Sequence, residues 1–316
     1  MKKVSIIMLI VVQLFTGVAL AGPVRVGYLQ SDLHHLPLWV AMDKGLYDRE
    51  GVKIEVAGIF KAGPELMTAF SAGELDIGYV GVAPAATAVA NKTAKVVLIA
   101  QVNTEGSAVV ALKNAKVRTI SDLVGTTIAI PGHSTVQDFL IRKAFRAFNI
   151  DLKKIQIIVI KPPEMISALR MGQINAFVAW EPYPAKAISS DLGAILAASR
   201  DIWKDHPCCV LAADSIFLEH NRDKAASMVR AHVNAIEFIR RNPKEARAIA
   251  IKYTGMDERT IKLAMDNVNY THVLSIDEIK QYAEFLTSMK YVNINNLDQF
   301  INHFVWPNFF LEVLKK

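Results

Sequence analysis

Apolar residues recur in short blocks along the chain, and their spacing alternates between the periods of strand and helix. Val24–Tyr28 is a compact apolar run that predicts a strand, Leu36–Gly45 repeats at helical spacing, and Val52–Val56 predicts a second strand after the turn at Glu50-Gly51. The alternation continues with a helix at Pro64–Ala72, a strand at Leu75–Tyr79, a helix at Ala83–Ala90 and a strand at Ala94–Gln101. Such alternation specifies an α/β fold with largely parallel sheets. After Val109–Leu112 and a short helical turn at Thr119–Leu123, a second set begins: strand Thr127–Ile130, helix Val136–Ala147, strand Ile155–Ile160, helix Pro163–Met171 and strand Ala176–Val178. From Asn221 onward the period is helical, over Asn221–Asn242, Pro243–Thr254, Asp257–Asn267, Ile276–Met289 and Leu297–Val305, with Asn242-Pro243 an ordinary helix start. The pattern predicts two α/β lobes with a cleft between them and a helical C-terminal region. Lobe 1 is expected to take residues 22–112 and 205–316, and lobe 2 residues 113–204.

The first residues break this pattern. Lys2 and Lys3 precede an apolar run from Val4 to Leu14, and Ala19-Leu20-Ala21 offers the small residues of a cleavage site, so residues 1–21 read as a secretory signal peptide. The run is shorter than the roughly 18 residues a membrane-spanning helix needs. No cysteine stands at the expected new amino terminus near Gly22, so a freely diffusing periplasmic protein is expected, with no stable membrane insertion.

Composition narrows the class. With 316 residues, 52% hydrophobic and 21% charged, the chain has ample core for two lobes and no mark of disorder. The formal charge of +6 is spread along the chain, too diffuse for a nucleic-acid footprint. Cys208 and Cys209 are neighbours, and adjacent cysteines close a disulfide only through a strained ring. They stand in an apolar run, His206 to Ala213, that reads as a buried strand with two unpaired thiols, and a metal or redox role is the alternative.

Several segments together resemble a known family. Gly27-Tyr28, then Leu36-Pro37-Leu38-Trp39 through Lys44-Gly45-Leu46-Tyr47 and Glu50-Gly51-Val52, are similar to the opening of bacterial solute-binding proteins for nitrate, sulfonate and taurine importers, a family that also includes binders of thiamine-pyrimidine precursors. Ser71-Ala72-Gly73-Glu74-Leu75-Asp76-Ile77-Gly78, Asp122-Leu123-Val124-Gly125, Met171-Gly172-Gln173-Ile174-Asn175-Ala176 and Trp180-Glu181-Pro182 follow in matching order. The resemblance implies a type II periplasmic binding-protein fold: two lobes that close on a small solute and present it to the membrane permease of an ABC importer. It implies no cofactor and no catalysis, and a monomer is expected. The solute is expected to be a small anionic or zwitterionic organic molecule.

Ligand contacts should come from loops at strand ends in both lobes, where hinge closure can bring them together. In lobe 1 these are Gln30, Ser31, His34 and His35 after the first strand, and Gly81, Val82 and Ala83 at a helix start whose free amides suit an oxyanion. In lobe 2 they are His133, Ser134 and Thr135, with hydroxyls at a helix amino terminus, and Trp180 and Glu181, an aromatic face beside a carboxylate. Glu181 is awkward for a purely anionic solute and suggests a donor group on the ligand. His34, His35, His133 and His206 raise the alternative of a bound metal or metal complex, although their spacing matches no local metal motif. A periplasmic sensor partner is a further reading. An exported hydrolase could pair Glu181 with His133, but the chain has no G-x-S-x-G elbow and no H-E-x-x-H.

Overall fold

The structure is a computed structural model that describes residues 22–315, so the expected signal peptide lies outside the described residues. Its strands are, in chain order, β1 (Val24–Leu29), β2 (Ile54–Phe60), β3 (Ile77–Gly81), β4 (Val96–Gln101), β5 (Asn103–Glu105), β6 (Ser107–Leu112), β7 (Thr127–Ile130), β8 (Gln156–Val159), β9 (Ala176–Trp180), β10 (Gly193–Ala198), β11 (Cys209–Asp214) and β12 (Val268–Tyr270). Two five-stranded sheets carry the lobes, ordered β2-β1-β3-β11-β4 and β10-β6-β9-β7-β8. Each contains one strand that runs against its neighbours: β11 is antiparallel to β3 and β4, and β6 is antiparallel to β9 and β10. These are the strands by which the chain enters each sheet from the other, so the reversed strands mark the two crossings. β1, β2 and β3 pair in parallel, as do β7, β8 and β9.

The first crossing differs from the expected boundary at 112/113. Ser107–Leu112 pairs with β9 from Ser107–Trp180 to Ala111–Ala176, which places it in the second sheet and moves the crossing to residues 102–106. The apolar run of β6 looks like that of β4, and only its long-range partner tells the two sheets apart. β5 lies at this crossing and pairs with β12, a strand from the C-terminal region, with Tyr270 opposite Asn103. β10, β12 and the helices Tyr183–Ser189 and Pro307–Leu314 carry no clear periodic signal in the sequence.

Helix Leu36–Asp43 is apolar nearly all round and is buried between the first sheet and helices Arg222–Arg241 and Pro243–Thr254. Its Trp39 is fully buried and stacks on Tyr253 with ring centroids 5.3 Å apart. Burying such a side chain contributes about 1.5–3 kcal/mol or more. The second sheet buries Ile128, Ile130, Ile141 and Phe145 in a core of its own. Helix Glu258–Met265 leaves the first lobe and packs on helix Tyr183–Ser189 of the second, so the C-terminal region braces both lobes. Among the described residues no helix is long and apolar enough to cross a membrane.

Candidate functional site

Strand ends build the site. β1 stops at Leu29, and Asp32 then turns the chain: its Oδ1 accepts from the His34 N–H at 3.0 Å and caps the turn Leu33–His35. This fixes His34 and His35 side by side, both fully buried. β3 ends at Gly81 and runs directly into helix Val82–Ala90, whose first N–H donates to Cys208 O at 2.8 Å, while the Cys208 N–H donates to Asn103 O at 3.1 Å. From the second lobe come the loop before helix Val136–Ala147 and the end of β9 at Trp180. Where these ends meet lies a cavity of about 10 Å³, room for one water. Asp32, His34, Gly81, Cys208 and Cys209 wall it from the first lobe, and Thr135, Val136, Gln137 and Trp180 from the second.

The first-lobe wall is a buried titratable cluster. His34 Nε2 lies 2.9 Å from Gly106 O, and a carbonyl only accepts, so Nε2 carries hydrogen. Its Nδ1 faces Cys208 Sγ at 3.5 Å, Cys209 Sγ at 3.6 Å and Asp32 Oδ1 at 3.3 Å. Burial alone would strip the proton from His34, but the charges of Cys208 and Asp32 outweigh it and raise the imidazole to about 9. Burial likewise opposes ionisation of Cys208, yet the hydrogen bond from Cys209 and the His34 charge draw its thiol well below the ordinary value. Burial, the hydrogen bond to Cys208 and the Cys208 charge push Cys209 well above it. Burial raises Asp32 to about 7. His35 is held neutral by burial and by the charge of His34; its Nδ1 accepts from the Leu29 N–H at 3.1 Å. Asp32 Oδ2 and His35 Nε2 have no hydrogen-bond partner among the described residues and stand 3.7 Å apart.

The second-lobe wall is neutral and tightly bonded. Thr135 Oγ1 accepts from the Asp138 N–H at 3.2 Å and donates to Gly132 O at 2.8 Å, so its hydroxyl caps the helix. Gln137 Nε2 donates to Ser107 Oγ at 2.9 Å, which ties the helix to the start of β6. Glu181 accepts from the Ala185 N–H at 3.0 Å and from Asn267 Nδ2 at 2.7 Å, and its burial raises the carboxyl to about 7. Polar bridges span the lobes: the Leu33 N–H donates to Glu181 O at 3.0 Å, Tyr291 Oη donates to Asp138 Oδ2 at 2.8 Å, and Lys161 pairs with Glu65 at 2.6 Å. The lobes are closed over the cavity.

Residues 21–254 match the model of the NMT1-like family, close to three quarters of the chain. The chain belongs to the NMT1-like family. A Brucella abortus relative, provisionally named a binding protein, is 28% identical over 272 residues, covering 84% of this chain and 83% of its own. Three solved structures share the fold of this NMT1-like protein. The ligand-binding component of an ABC-type import system from Staphylococcus aureus, with zinc bound, superposes with a TM-score of 0.81 at 19% identity, over 92% of this chain and 98% of its own. The periplasmic aliphatic sulphonate binding protein SsuA from Escherichia coli gives 0.75 at 19% identity, over 92% and 99%. The periplasmic nitrate-binding protein NrtA from Synechocystis gives 0.83 at 14% identity, over 93% and 88%. The type II periplasmic binding-protein architecture expected from the sequence is the one observed.

Of the expected contact residues of this NMT1-like protein, His34, Gly81, Thr135 and Trp180 line the cavity. His133 and Ser134 lie instead on a groove of about 400 Å³ with Pro64, Met67 and Pro84, at the seam between the lobes. Gln30 is exposed at the end of β1, Ser31 Oγ reaches Thr254 O at 3.5 Å, and His35, Val82, Ala83 and Glu181 are buried behind the cavity wall. His133 is exposed and stands 4.0 Å from Asp138, and the buried His206 bonds Tyr282 Oη at 3.2 Å, so the four histidines do not converge. Asp32, Gln137, Cys208 and Cys209 are wall residues that the pattern of strand-end loops did not single out. The signal for the cysteines was their adjacency in an exported chain, which a buried strand explained equally well.

Proposed function

We propose that this protein is the extracytoplasmic solute-binding component of an ABC importer, capturing one small anionic or zwitterionic solute between its lobes and presenting the closed form, as a monomer, to a membrane permease. The observation that carries this reading is the position of the cavity: it lies at the ends of strands from both sheets and is walled by both lobes, so a bound solute contributes binding energy only when the lobes are closed. Relatives of this fold named for sulphonate and nitrate binding support the solute class. The export signal read at residues 1–21 supports a periplasmic location.

Binding without covalent change fits the cluster better than catalysis does. A Cys-His-Asp relay needs the nucleophile on one imidazole nitrogen and the carboxylate on the other. Here Cys208 and Asp32 both face His34 Nδ1, and Nε2 is committed to Gly106 O. The test is thermal unfolding of ligand-stripped protein against nitrate, alkanesulfonates, taurine, pyrimidine precursors and aromatic carboxylates. A true solute at about a hundred times its dissociation constant adds about 2.7 kcal/mol, several degrees in Tm. No shift with any member of the panel counts against the reading.

A further inference from the structure

The solute-binding reading leaves the two cysteines unused. Adjacent residues of a regular strand point to opposite faces. Cys208 instead lies just before β11, after Pro207 bridges to Thr104, and both sulfurs lie within 3.6 Å of His34 Nδ1. We infer that Cys208, Cys209 and His34 form a binding site for one thiophilic d¹⁰ metal ion, zinc or cuprous copper, in the wall of the interlobe cavity.

The geometry is that of a coordination shell. Metal–sulfur bonds of about 2.3 Å and metal–nitrogen bonds of about 2.0–2.1 Å set sulfur and nitrogen about 3.5 Å apart at a tetrahedral angle. The observed separations are 3.5 and 3.6 Å, and the three donor atoms lie within 4.8 Å of one another. As in metal-bound imidazoles, the far N–H of the ring donates to a backbone carbonyl, here Gly106 O, so Nδ1 is the nitrogen that faces the two sulfurs and the one that would release its proton to an arriving ion. Gly106 is required for that contact, since a Cβ there would lie 2.3 Å from His34 Nε2. Two thiolates and an imidazole select soft ions over magnesium or calcium.

A second group, Asp32, His35 and Cys209, is equally compact but chemically weaker. His35 Nδ1 is taken by the Leu29 N–H, so its Nε2 holds hydrogen and has no lone pair to give. All three proposed ligands border the cavity, whose volume of about 10 Å³ admits a fourth ligand the size of one water or one donor atom of a carried solute. The ion is thereby either the cargo or the group that grips it. The site itself does not depend on the identity of the solute.

The test uses the mature protein, reduced and stripped with a chelator. Zinc is titrated in competition with a chromophoric chelator, cuprous copper is titrated likewise, and Co²⁺ serves as a spectroscopic probe of zinc's place. The inference predicts one equivalent per chain and a sulfur-to-cobalt charge-transfer band. It predicts a loss of at least about 100-fold in affinity for C208S and for C209S, and unchanged affinity for H133Q, whose side chain is exposed elsewhere. Because the band in the unaltered protein reports thiolate ligation directly, a variant that fails to fold does not decide the matter. No stoichiometric binding, a cobalt spectrum without the band, or affinity indifferent to both cysteines would overturn the site. An organic solute that shifts Tm equally before and after metal stripping, with the metal titration empty, removes the metal site and keeps the importer reading; a Tm rise with metal that is lost in C208S supports the site, whether the ion is the cargo or the group that grips it.

Discussion

Replacing Gly106 with alanine tests whether the crossing strand and the His34 ring are built against each other. Gly106 has φ +83°, and an added Cβ would meet His34 Nε2 at 2.3 Å and Val268 Cγ2 at 3.0 Å. Left-handed backbone costs a residue with a side chain about 1–2 kcal/mol. The clash adds a second loss: relieving it moves the His34 ring by about 1 Å to reach ordinary contact. That movement breaks the 2.9 Å contact to Gly106 O in a fully buried place. An unpaired buried polar group costs about 1–3 kcal/mol, so the total for G106A is about 2–5 kcal/mol. Gly45 supplies the control, because it has φ +62° and nothing within 4 Å of its added Cβ. G45A should therefore lose only the backbone part, about 1–2 kcal/mol. Urea unfolding of both variants measures the difference, which should be about 2 kcal/mol with G106A the less stable. Equal losses, within about 0.5 kcal/mol, would refute the packing argument.

Other perturbations follow from the buried titratable groups and the bridges between lobes. Glu181 is raised to about 7, so its protonated form is the one the fold prefers; its contribution is full below about 4.5 and is lost as pH rises to 7. The stability of the unaltered protein relative to E181Q should accordingly fall by up to about 3 kcal/mol between pH 4.5 and 7, and a flat difference would show that the carboxyl is not perturbed. His232 is lowered to about 4 by burial, with Nε2 2.8 Å from Gln101 O. Its contribution is present above about 6.5 and lost as pH falls toward 4, so the stability difference from H232Q should shrink by up to about 3 kcal/mol over that window; growth of the difference on acidification would reverse the assignment. Removing the Tyr291 hydroxyl deletes the 2.8 Å bond to Asp138 across the lobes, while Asp138 keeps Arg142 and the Ser134 N–H. Y291F should lose about 1–2 kcal/mol in urea unfolding, and no loss would mean that the bridge does not form in solution.

The two-lobe plan is legible because strand and helix periods alternate strongly through residues 24–178, and some helix starts carry their own signal, such as Thr135 before Val136. The assignment of strands to sheets is not legible in that way. β6 and β4 are both short apolar runs, and only the pairing of Ser107–Ala111 with β9 separates them. β5 and β12 are three residues each and exist because they pair with one another across the fold. The same distinction runs through the site. His34, Gly81, Thr135 and Trp180 stand at strand ends, the position from which they were expected, and line the cavity, whereas Gln30, Ser31 and His133 stand at strand ends and do not. Cys208 and Cys209 read as inert strand thiols, because the approach of His34, 174 residues away from Cys208 in sequence, is a property of tertiary structure.

If this protein is a solute-binding component, its lobes close over a solute held where their strand ends meet. Small-angle scattering from ligand-stripped protein, before and after adding whichever solute or ion raises Tm, tests it most directly. The stripped protein should have the larger radius of gyration, and the loaded protein the smaller one, its lobes drawn together around the ligand. Identical curves with and without a bound ligand would contradict it.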